Sequence, residues 1–159
     1  MTLGDYGSLA EIIGVVGMIA SLIYVGYQLQ QARVQMKGAA SQARADSQMN
    51  LWLTSTNSDF AEMQNKVMFT SETLTGTDLI QQNGFMVSWL GFLQNTFYQR
   101  KLGLLDEDQV GFLNTLPAFR IGHIRQYWEQ VRFSGAYPAD FVSHIDSVLT
   151  KQDNERADK

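Results

Sequence analysis

The chain has 159 residues, 45% of them hydrophobic, which is room for one compact domain with one further segment. A formal charge of −4 and a pI near 5.0 exclude the basic face of a general nucleic-acid binder, so no nucleic-acid partner is expected. With no cysteine and two histidines, disulfides, thiolate zinc sites and thiol nucleophiles are excluded, and no metal or other cofactor is expected.

Residues 1–11 carry Asp5 and Glu11 but no Lys or Arg, and so lack the positive start of a cleaved secretory signal. Residues 12–32 contain no charge, and the 21 residues 9–29 would extend roughly 31 Å as a helix at ~1.5 Å per residue, the thickness of a bilayer's hydrocarbon core. Tyr6 precedes this stretch, and Tyr24 and Tyr27 lie near its end, where amphipathic rings favour the membrane interface. All twelve Lys and Arg residues follow position 32, and Arg33, Lys37 and Arg44 lie close behind the span. The positive-inside rule then places the N-terminus outside and the body in the cytoplasm. The competing reading is a buried core helix of a soluble protein, because Gly14, Gly17 and Ser21 interrupt the strictly apolar centre.

Gly14, Gly17 and Ser21 are spaced by three and four, so they share one helix face and form a small-x-x-x-small pair suited to close approach of another helix. Ala32, Ala39 and Ala43 continue that face. It implies a homo-oligomer or another membrane protein as partner. A second arrangement is a homo-oligomeric pore in which Glu11, Ser21 and Gln28 line a lumen, although Glu11 also suits the outer headgroup level.

Residues 28–54 hold no proline and one glycine, so the helix is expected to continue to about Leu53. A break at 55–57 follows, with Ser58 or Asp59 as N-cap of a short helix over 60–69, and a polar turn at 73–77. From Asp78 a long helix carries Phe85, Met86, Trp89, Leu90, Leu93 and Phe97, a broad face for the centre of the core. Gly103 is placed to end it with a left-handed cap, and Asp106 with Gln109 forms a capping box for the next helix. Pro117 divides the following stretch into helices 107–115 and 119–132. Pro138 suits the first turn of a last helix with Phe141, Ile145, Val148 and Leu149 facing inward, and 151–159 reads as a disordered tail.

The fold class is therefore all-α: a single N-terminal transmembrane helix (1–31) running into a small cytoplasmic helical bundle (32–150). No catalytic residue stands out. His123 and His144 lie near Glu129, Asp140 and Asp146, but Ser134 is not set in a nucleophile elbow and no glycine-rich loop follows a strand. Asp106, Glu107 and Asp108 suit a helix N-terminus rather than a metal. Arg120, His123 and Arg125, with Arg100 and Lys101, form a candidate site for an anion or lipid headgroup, against the simpler expectation of solvated, locally paired charges.

Three clusters carry a resemblance: Ser21, Leu22, Tyr24 and Gln28; Gln94, Asn95, Tyr98, Gln99, Gly103, Leu104, Leu105 and Asp106; and Trp128, Glu129, Arg132 and Phe133. In order and spacing they resemble a widespread family of small uncharacterised bacterial proteins with one N-terminal transmembrane helix and a helical cytoplasmic body. Gln94 stands where that family usually has an acidic residue. The resemblance implies attachment to a bacterial inner membrane and an all-α body, while the small-residue face and the lack of a chemical site point to a non-catalytic interaction or assembly role, as an accessory subunit or a self-associating protein.

Overall fold

The computed structural model describes residues 3–67, 74 and 76–157. Among them are six α-helices, two short 3-10 turns and no strand, so the chain is all-α. It divides into two units, Met1–Ala39 and Ala40–Lys159, a boundary eight residues beyond the expected one at 31/32.

Helix α1 (Leu3–Ser55) runs without a proline to interrupt it, and several of its Ser and Thr hydroxyls are satisfied by bonding backward along the helix. Ser21 Oγ donates to the Gly17 carbonyl at 2.8 Å, Ser47 Oγ to Ala43 at 2.8 Å and Thr54 Oγ1 to Asn50 at 2.9 Å. The helix ends where Thr56 and Asn57 turn the chain. Asn57 is the N-cap of α2 (Ser58–Asn65), its Oδ1 accepting the Asp59 N–H at 3.0 Å. This displaces the expected caps Ser58 and Asp59, because an extended Asn57 already satisfies the first free donor of the helix. The helix buries Phe60 and Met63, and Phe60 meets Phe85 at 4.8 Å between ring centroids. Positions 68 and 69 of the expected helix, and 73 and 75 of the expected turn, lie outside the described residues.

Helix α3 (Gly76–Lys101) is the centre of the body, burying Gln82, Met86, Leu90, Leu93 and Thr96 along one stripe. Gly103, at φ +68°, ends it as expected: Leu104 N–H bonds the Gln99 carbonyl at 2.9 Å and Gly103 N–H that of Arg100 at 2.8 Å, a Schellman motif. The capping box at Asp106 and Gln109 then starts α4 (Glu107–Val110), with Gln109 Oε1 accepting the Asp106 N–H at 3.1 Å.

The next stretch departs from expectation. Instead of helices over 107–115 and 119–132, α4 stops at Val110 and two 3-10 turns follow, Gly111–Asn114 and Pro117–Arg120, before α5 (Gly122–Val131). Leu116 between the turns takes a left-handed φ of +36°, outside the extended region that a following proline favours. The carbonyls freed by this broken path are met from α6 (Ala139–Ala157). His144 Nε2–H donates to Leu113 O at 3.1 Å, and the buried Gln152 amide donates to the carbonyls of Thr115 and Leu116. Pro138 precedes α6 and its carbonyl accepts the Val142 N–H at 3.0 Å. The expected tail is helical through Ala157, held by Gln152 and by an Arg125–Asp153 ion pair at 2.6 Å.

Leu90, Leu93, Leu113, Phe119, Trp128, Phe141 and Ile145 fill the core between α3, the 3-10 turns, α5 and α6. The Trp128 ring stands nearly perpendicular to those of Phe119 and Phe141, each with centroids 6.1 Å away.

Candidate functional site

In the first unit, every described side chain from Ala10 to Ala39 is exposed except the half-buried Lys37. Ile12, Ile13, Val16, Met18, Leu22 and Ile23 are all 60% or more exposed, and the helix is long and apolar enough to cross a membrane. A buried core helix of a soluble protein would cover such side chains. The side chains of Tyr6 and Leu9 lie outside the described residues; Tyr24 and Tyr27 are exposed.

The expected association face, Gly14, Gly17, Ser21, Ala32, Ala39 and Ala43, is exposed throughout. A Cβ placed on Gly14 or Gly17 would meet nothing within 4 Å, so the chain's own fold does not require glycine at either position. Ser21 commits its proton to the Gly17 carbonyl, which leaves this face small and internally satisfied. Glu11 and Gln28, expected beside Ser21 on a lumen, are exposed. In the second unit Ala43 points outward while Ala40 is buried and Arg44 half-buried, so within this unit the body packs on a side of the helix other than that of Ala43.

That second side of α1 opens a cleft of about 460 Å³ within the body. Arg44, Gln48, Leu51 and Ser55 line it from α1, Phe85, Trp89 and Phe92 from α3, and Phe112 with Leu116–Ala118 from the 3-10 turns. Sequence reasoning missed it. Its signal was the spacing of Arg44, Gln48, Leu51 and Ser55 against Phe85, Trp89 and Phe92, two facing helical stripes obscured by the neighbouring alanines.

Of the cations of the expected anion site, Arg125, Arg100 and Lys101 are paired with carboxylates. Arg125 is bidentate to Asp153, with Nη atoms at 3.1 and 2.6 Å, and lies 3.7 Å from Glu129. Arg100 pairs with Glu107 at 2.6 Å and bonds Asn114; Lys101 pairs with Asp140 at 2.6 Å. Arg120 is exposed beside Gln152, Glu155 and Arg156. Burial lowers the His123 pKa below its ordinary value, favouring the neutral ring. His144 is lowered by burial against the opposing pull of its bond to Leu113, and its ring packs 5.0 Å from Phe97. Among the described residues no group of three His, Asp or Glu side chains gathers for a metal.

Of the clusters behind the family resemblance, the first is exposed on α1, and the second and third tie helices of the body together. Trp128 is fully buried and its Nε1–H donates to Asp146 at 2.9 Å; Arg132 bridges Glu129 at 2.9 Å and Asp146 at 3.1 Å, and its guanidinium covers the exposed Phe133 ring at 4.5 Å. This ties α5 to α6. Tyr98 donates to Asp140 at 2.5 Å, tying α3 to the start of α6. No family model, no curated protein and no solved structure matches this chain.

Proposed function

We propose that this chain is a non-catalytic, membrane-anchored assembly protein. Residues 9–29 cross a bacterial inner membrane with the N-terminus outside and the body in the cytoplasm, and the small-residue face of α1 meets a second copy or another membrane protein. The observation that carries this reading is the uncovered apolar stretch of α1, whose side chains have no protein environment to enter. The glycines add support, because close helix approach accounts for small residues that the chain's own packing does not require. The distribution of Lys and Arg supports the orientation.

Extraction in mild detergent followed by mass determination tests assembly. A particle of several copies, or a defined complex with another membrane protein, is expected. A strictly monomeric particle with nothing bound overturns it.

A further inference from the structure

The body's cleft carries a charge without a counter-charge. Arg44 is the one charged side chain in its lining; among the described residues it forms no ion pair, and its Nε–H is buried without a hydrogen-bond partner. Its guanidinium carbon lies 5.5 Å from the centroid of the Phe112 ring, a contact that holds the cation in place but supplies no acceptor. Apart from Gln48 and Ser55, the remaining lining is aromatic or aliphatic, with Trp89 and Phe92 presented from successive turns of α3.

A half-buried cation bordered by apolar side chains is stabilised by an anion at its accessible nitrogens, the terminal ones here because Nε is covered. About 460 Å³ falls within the range of small-molecule pockets and holds roughly fifteen water-sized groups at about 30 Å³ each. We propose that this cleft binds a small monocarboxylate with an apolar tail. The carboxylate pairs with Arg44, whose planar fork can donate two parallel N–H bonds, and the tail lies over Trp89, Phe92 and Pro117. The charge complement selects this class: the lining offers a cation and no carboxylate, so an uncharged or cationic amphiphile leaves Arg44 as it stands. The inference rests on the body alone and does not depend on the membrane-assembly reading.

Octanoate, octanol and octyltrimethylammonium, titrated onto the full chain in lipid nanodiscs with empty nanodiscs subtracted, test it. Trp52 and Trp89 line the cleft while Trp128 is fully buried, so tryptophan fluorescence reports occupancy, and calorimetry supplies the affinity. Saturable octanoate binding about tenfold or more tighter than octanol is expected, with no saturable binding of the cation. Arg44→Gln should remove the octanoate advantage while leaving octanol binding, and Ala118→Trp should block both; circular dichroism checks that each variant folds. The unmodified chain decides the matter even if a variant fails to fold. No saturable octanoate signal, or equal affinity for octanoate and octanol, overturns the proposal, as does an octanoate affinity unchanged in folded Arg44→Gln.

Discussion

Asp140 sits where three parts of the body meet: it accepts from the Tyr98 hydroxyl, the Lys101 ammonium and the Phe141 N–H. Its hydrogen bonds from Lys101 and Tyr98 lower its pKa from 3.8 to about 2. A carboxylate whose pKa is depressed in the fold contributes stability above its unfolded value, and that contribution is lost as pH falls through the folded value. The thermal stability of the full chain should therefore fall as pH drops from 3.8 to about 2, and Asp140→Asn should flatten that part of the profile. His144 acts in a second window. Its pKa is lowered from 6.5 chiefly by burial, so its stabilisation is complete above that value and declines as pH falls below it; His144→Asn should reduce the loss on going from neutral to mildly acidic pH. The local devices, Gly103 and the Asp106–Gln109 box, were legible in the sequence because donor and acceptor lie within a few positions of each other. Gln152 and His144 were not, because the carbonyls they satisfy lie 31 to 37 residues away.

At the scale of elements, α1, α3 and α6 follow from long uninterrupted helical patterns, and their inward residues were readable from spacing. The path from Glu107 to Arg120 was not. Whether such a stretch stays α-helical or tightens into 3-10 turns depends on whether a neighbour satisfies its freed carbonyls, and here α6 does. Gln152→Leu keeps the side chain's bulk while removing both donors, so it should cost about 1–3 kcal/mol, seen as a lower urea midpoint with an unchanged slope. The same side chain explains why the helix persists where composition alone read a disordered tail. On α1, a Cβ at Gly17 meets nothing within 4 Å and the neighbouring side chains are exposed, so Gly17→Leu should leave the body's unfolding unchanged. Its effect should appear in assembly, as a shift toward monomer of about tenfold in dissociation constant in detergent.

For the whole molecule, an aromatic core and an exposed apolar stretch at 10–36 belong to the same 159 residues, and an apolar stretch of that length calls for a cover other than water. On the proposed reading a bilayer around residues 9–29 supplies that cover, and the cation distribution gives its orientation. Because the chain has no cysteine, single cysteines can report those sides without background. The most direct measurement places one at Ser8 and, separately, one at the exposed Ser143, and applies a membrane-impermeant maleimide to intact bacterial spheroplasts and then to lysed ones. The account predicts labelling of the Ser8 position in both and of the Ser143 position after lysis only. Labelling of both positions to the same extent before lysis, or release of the chain from membranes by alkaline carbonate, would contradict it.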